Sequence, residues 1–126
     1  MNIPSELLFS KSHEWVRDLD GKTARIGLTD FAQHELGDLV FVNLPEVGDE
    51  AVSGEPIADV ESVKAVSDVY SPLSGVVKAV NGEAAGRPEL INSDPYGTWL
   101  VEIGDIRARD ELLSAEEYAK LCKEED

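Results

Sequence analysis

The chain has 126 residues, of which 42% are hydrophobic and 29% charged. That balance excludes a disordered chain and suits a single domain, residues 1–126, around one modest core. Its formal net charge of −15, from 26 Asp+Glu against 11 Lys+Arg, repels phosphate backbones and anionic lipid, so neither nucleic acid nor a membrane is expected as a partner.

In chain order, the opening MNIPSELLFSKSHEW lacks a basic segment followed by an apolar run, so no secretory leader is expected. Thr23 to Leu28 alternates, with Ala24, Ile26 and Leu28 on one side, and predicts a half-buried strand entered through the turn Asp20-Gly21. A short helix follows near 29–36. Thr29 or Asp30 caps it, Ala32 and Leu36 share a face, and Gly37 stops it. LVFVNL (39–44) is a continuous β-branched and aromatic run that predicts a strand covered on both faces. Pro45 and Gly48 break it. Further strands are predicted at Ile57–Glu61, Val66–Tyr70, Val76–Val80 and Thr98–Ile103, with SPLSG and NGEAAG as turns. Trp15, Phe31, Phe41 and Trp99 are expected in the core.

Residues 39–61 run strand, turn, bend, strand, and residues 75–103 run the same way with a longer bend. Two such halves suit a pseudo-symmetric β-sandwich, although the identities are too few to make a repeat. Near 114–123 the period becomes helical. Ser114 and Glu117 form a capping box, and Tyr118, Leu121 and Cys122 form one apolar stripe. Cys122 is the lone cysteine, so no internal disulfide is possible, and on that stripe it reads as a small buried hydrophobe. A cytoplasmic protein is expected.

Catalytic machinery is not visible. His13 and His34 lack the Cys/His spacing of a zinc site, no Gly-rich loop follows a strand to hold a phosphate, and acid pairs in so acidic a chain arise by chance. No catalytic or metal-ligating residues are assigned. His34 reads as an ordinary surface or cleft-edge histidine.

One residue stands apart. In ESVKAVSD (61–68), Lys64 is the only lysine between Lys22 and Lys78, set among Glu55, Asp59, Glu61 and Asp68. A lysine in a polar turn is ordinarily just solubilising. Here, however, the stretch reads strand, turn, strand, which puts Lys64 at a hairpin tip, and its neighbours Val63 and Ala65 are apolar. A modifying enzyme reading this hairpin meets one amine, and acylation converts that cation into a neutral tether.

The words SHEWVR (12–17), IGLTDFAQHELGDLVFVNLPEVGDE (26–50), VESVKAVSDVYSPLSG (60–75) and PELINSDPYGTWL (88–100) appear in the order and spacing of one family. The chain resembles the H protein of the glycine cleavage system, a lipoyl carrier. The resemblance implies a mainly β barrel-sandwich hybrid, similar to lipoyl and biotinyl carrier domains. A biotin carrier would show methionines beside the lysine, so Val63 and Ala65 favour lipoate.

The resemblance further implies (R)-lipoate attached to the ε-amine of Lys64 by a lipoate-attaching enzyme, with Glu61, Ser62, Val63 and Ala65 as the hairpin positions read around it. The partners it implies are the pyridoxal-phosphate glycine decarboxylase (P-protein), the aminomethyltransferase (T-protein) and dihydrolipoamide dehydrogenase (L-protein). The protein itself is then a non-catalytic carrier, expected to work as a monomer. The family docks its loaded arm in a cleft. Ser12, Glu14 and Asp68 occupy the matching positions, with Glu14 and Asp68 as acidic partners of the amine and Ser12 as a hydrogen-bonding helper.

Two places depart from the family pattern, Thr98 in PYGTWL and Ala84 in NGEAAG, both away from the lysine hairpin. Three other readings stand beside the carrier that shuttles aminomethyl groups. An H-like lipoate relay to other complexes needs the same hairpin. An unmodified β-rich interaction module would leave Lys64 bare. A small hydrolase using His13 or His34 would need a nucleophile that neither histidine has nearby.

Overall fold

The computed structural model describes residues 1–125. Two antiparallel sheets form the scaffold. The larger contains β1 (Leu8–Phe9), β2 (Glu14–Asp18), β3 (Ala24–Leu28), β5 (Glu50–Ala51), β8 (Leu73–Val80) and β9 (Val101–Arg109), in the order β1-β2-β3-β9-β8-β5. The smaller orders β4 (Leu39–Asn43), β6 (Pro56–Ser62) and β7 (Val66–Tyr70) as β4-β6-β7. The helices are α1 (Asp30–Leu36), α2 (Gly82–Gly86), α3 (Glu89–Ser93) and α4 (Ala115–Glu125).

The main core fills the space between the sheets. Val16, Ile26 and Leu28 from β2 and β3 meet Val42, Val60 and Val69 from the small sheet, and Ala84 and Ile91 of α2 and α3 complete the cluster. A second cluster, Phe9, Trp15, Phe31, Tyr96, Tyr118 and Cys122, lies beneath α4. Burying these side chains drives the two sheets together. The stripe predicted on the C-terminal helix is therefore the face that packs, and Cys122 is buried in it. In each of the two segments with similar organisation the outer strands pair, β4 with β6 and β8 with β9, while β5 of the first segment joins β8 of the second.

Thr29 caps α1 by accepting from the Ala32 amide, and Gly37 ends it at φ 82°, a conformation that glycine adopts freely. At α4 the box is reciprocal: Ser114 N–H donates to Glu117 Oε1 at 2.9 Å, and Glu117 N–H donates to Ser114 Oγ at 3.2 Å.

Several expectations change. β4 is not covered on both faces. Val40 and Phe41 are 55% and 48% exposed, because among the described residues no element covers them on the outer face of the small sheet and a bulge between Leu39 and Phe41 turns neighbouring residues outward. Phe41 is thus not a core residue. Trp99 is half-buried, with the Arg25 guanidinium 4.5 Å from its ring centroid, and it precedes β9, which starts at Val101 and runs on to Arg109. NGEAAG is not a turn. Asn81 accepts from the Glu83 amide and starts α2, which buries Ala84 completely. β8 begins at Leu73, inside the segment read as the turn SPLSG, and the short β1, β2, β5 and α3 were not anticipated. The C-terminal helix reaches Glu125, two residues beyond the expected end. Among the described residues, no helix is long and apolar enough to cross a membrane.

β8 and β9 cross closely at Gly75, where an added Cβ would meet the Gly104 carbonyl oxygen and stand 2.8 Å from Ile103 Cγ2. Gly75→Ala is therefore expected to cost about 1–3 kcal/mol through overpacking, read as a lower denaturation midpoint at unchanged slope.

Candidate functional site

The β6–β7 hairpin is held by its own backbone and by one hydroxyl. Glu61 pairs with Val66, and Ser62 N–H donates to the Ala65 carbonyl at 2.8 Å. The two-residue loop is Val63-Lys64, and neither residue has positive φ, so the turn lacks the primed geometry that such loops favour. Ser62 Oγ compensates by accepting from the amides of Lys64 (3.2 Å) and Ala65 (3.0 Å). Val63 N–H donates to the Asp38 carbonyl at 3.2 Å and so ties the tip to the α1–β4 junction.

That junction is fixed by Asn92, which sequence reasoning passed over inside PELINSDPYGTWL. Its amide nitrogen donates to Gln33 Oε1 and to the Gly37 carbonyl, and its oxygen accepts from Leu39 N–H, all at 2.9–3.0 Å.

Lys64 stands exposed at the tip with Glu61, Val63 (73% exposed), Ala65 and Val66, while Ser62 is turned inward as the turn's hydrogen-bond hub. Among the described residues, no ion pair includes Lys64. Its stem lies over Gly37, the Cε sitting 3.6 Å from where a Cβ there would be. The preceding residue, Leu36, lines a groove of about 170 Å³.

Ser12, His13 and Glu14 line this groove from the β1–β2 side and Ser67 and Asp68 from β7, Leu28, Phe31, Ala32 and Leu36 give it an apolar lining, and Glu35 of α1 adds a third carboxylate. All three residues proposed for arm docking thus converge there, though from different environments: Asp68 and Ser12 are exposed, whereas Glu14 is 1% exposed. Glu14 Oε1 accepts from Ser10 Oγ at 2.5 Å and Ser12 Oγ at 2.6 Å, and Oε2 accepts from Tyr70 N–H at 3.2 Å. Burial pushes its pKa up to about 7, against the lowering effect of these three donors, with the Asp110 charge adding to the rise. Ser10, also unanticipated, supports Glu14 from behind and is itself buried. His34 is exposed on α1 and is not among the residues lining this groove. Among the described residues, no cluster of His, Cys, Asp and Glu could hold a metal ion.

A mainly β scaffold that presents one lysine at a locked turn, beside a groove lined by carboxylates, has the layout of a carrier domain. A family model described as "Glycine cleavage H-protein" matches residues 7–125. The glycine cleavage system H protein of Lachnoclostridium phytofermentans is 55% identical over 125 residues, 99% of this chain and 98% of that protein. The probable glycine cleavage system H protein of Thermoplasma acidophilum is 52% identical over 121 residues, 96% of each. The crystal structure of a glycine cleavage system H protein from Mycobacterium marinum superposes with a TM-score of 0.88 at 43% identity, covering 94% of this chain and 97% of that one. The chain belongs to the glycine cleavage H-protein family: it is a lipoyl-carrier subunit with the barrel-sandwich hybrid fold, not a catalyst.

The Glu14 shift has a measurable sign. Its pKa is raised from the ordinary 4.5, so between pH 4.5 and 7 the folded protein keeps a proton that the unfolded chain has released. Stability is therefore lost as pH rises through that window, by about 3 kcal/mol in all. Glu14→Gln should flatten this slope and melt higher than the parent at pH 8, but not at pH 4.5, in paired thermal denaturations.

Proposed function

We propose that residues 1–126 act as one lipoyl-carrier domain, monomeric and cytoplasmic, with (R)-lipoate joined to Lys64 by a lipoate-attaching enzyme. The bound group supplies a dithiolane that takes up an aminomethyl group at the glycine decarboxylase, yields it at the tetrahydrofolate-dependent aminomethyltransferase and is reoxidised by dihydrolipoamide dehydrogenase. The chain's own work is presentation and shelter. The observation that carries the reading is the exposed Lys64 amine, its stem over Gly37, one residue from a groove that Glu14 and Asp68 both line.

Each side chain has a physical task. Ser62 fixes the backbone on both sides of Lys64, so that the amine is displayed without being consumed by a structural bond. Glu61, Val63 and Ala65 are the surfaces that an attaching enzyme meets around it. Leu28, Phe31, Ala32 and Leu36 offer an apolar bed for the stem of the arm. A cationic cargo arriving at Glu14 favours ionisation of its carboxyl, and Asp68 adds a second negative charge from β7. Ser12 hydrogen-bonds Glu14 and keeps one oxygen aligned. Water is thereby kept from a labile cargo.

Protein expressed with lipoate available is expected to gain one lipoyl increment by intact mass. The Lys64→Arg variant is expected to gain none, and an unchanged increment there would place the attachment elsewhere. Reconstitution with the decarboxylase should support exchange of bicarbonate into glycine. With the chain at net charge −15, the KM for the carrier in that assay should rise with ionic strength, and a KM indifferent to salt would remove electrostatic docking from the reading.

A further inference from the structure

The loop joining β1 to β2 closes as a turn in which His13 N–H donates to the Ser10 carbonyl at 3.2 Å and Ser10 N–H donates to the Glu14 carbonyl at 2.8 Å. The residue in the bulge of such a hairpin sits in the left-handed region and is ordinarily glycine. His13 occupies it at φ 75°. A side chain kept where glycine fits best needs a reason, and the imidazole supplies one.

Its Nε2 lies 3.0 Å from Glu125 Oε1 and its Nδ1 2.7 Å from the Tyr118 hydroxyl, both on α4. A carboxylate only accepts, so Nε2 carries the hydrogen. In the neutral ring Nδ1 then accepts from Tyr118, whose oxygen accepts from Thr29 Oγ1 at 2.7 Å. Thr29 caps α1 through the Ala32 amide, and α1 carries the groove residues Phe31, Ala32 and Leu36. The imidazole also stacks on Phe31, with centroids 4.6 Å apart and 22° between planes. His13 lies between Ser12 and Glu14, and all three face the groove.

We infer that His13 is a positioning residue: it braces the Ser12–Glu14 wall and the α1 lining of the groove against a common strut, α4, and so holds the pocket shaped for the cationic end of the arm. This rests on the parking role proposed for Glu14. It assigns α4 a task beyond covering the second core, since Tyr118 and Glu125 set the walls from outside. The low solvent access that raises the Glu14 carboxyl depends on the same wall staying closed.

The test uses the full-length protein. His13→Gly preserves the turn, because glycine suits φ 75°, and removes the brace. Glu125→Ala cuts the far end of the chain at a half-exposed site and serves if His13→Gly does not fold. In unmodified protein, the Glu14 carboxyl is titrated by carbon-13 NMR. In lipoylated, aminomethyl-loaded protein, spontaneous ammonia release is timed. The brace predicts that the Glu14 midpoint falls toward the ordinary carboxylate range and that release quickens several-fold, since small displacements of a positioned group cost disproportionately. A residue that only stabilised the fold would lower the melting temperature and leave the Glu14 midpoint in place. Either readout staying at its parent value in the folded variants overturns the inference. Glu14→Gln is timed alongside. If it alone quickens release, parking stands and the role of His13 falls; if it too releases at the parent rate, both fall.

Discussion

Glu14 belongs to the large sheet through its backbone, paired with Leu28, while its Oε2 accepts the Tyr70 amide from β7 of the small sheet. The two sheets share no ladder among the described residues, so a carboxylate spans the seam where a strand pair would otherwise do so. Its remaining oxygen is occupied by two serine hydroxyls. A buried carboxyl is tolerated only when its hydrogen bonds are met, and here the bonds that make burial tolerable also aim the group at the groove. The seam, the wall and the polar lining of the groove are one arrangement, and the stability cost of keeping a titratable group there recurs in proteins that hold a functional site under strain.

The lysine hairpin follows a complementary logic. Everything that rigidifies the tip is main chain or Ser62, and the bonds run outward from it through Asp38 to Gly37, Leu39 and Asn92. Lys64 contributes only its amide to this network, which leaves the amine to chemistry. No other lysine lies between Lys22 and Lys78 in the sequence, and the exposed Val63 and Val66 give the tip an apolar surface that a polar turn would lack.

Much of this was legible in the sequence, because local rules and tertiary context agree in those places. The period-2 pattern of β3, the Thr29 and Gly37 ends of α1 and the Ser114–Glu117 box all appear where the residues put them. The convergence of Ser12, Glu14 and Asp68 came from a family resemblance and not from spacing, which carries no signal for residues from two sheets. β4 misled for a physical reason: a run of apolar residues fits a doubly covered strand, yet in this small sheet one face stays open and a bulge turns Phe41 outward. α2 and α3 are single turns fixed by Asn81 and by packing, below the length at which periodicity speaks. Asn92 and His13 had no local signature, since each works through partners far along the chain. A histidine at the glycine position of a tight turn is a cue only once the turn is known.

The small sheet has just three strands and so two open margins, the usual place for one β protein to graft onto another. On β7, Glu14 takes the Tyr70 amide; on β4, α2 and α3 pack alongside and Asn92 takes the Leu39 amide. The two side chains that set the groove and the tip therefore also cap both margins against strand addition. With an amide on each margin already taken, what that sheet presents to solvent is its outer face, where Val40, Phe41 and Val66 stand exposed.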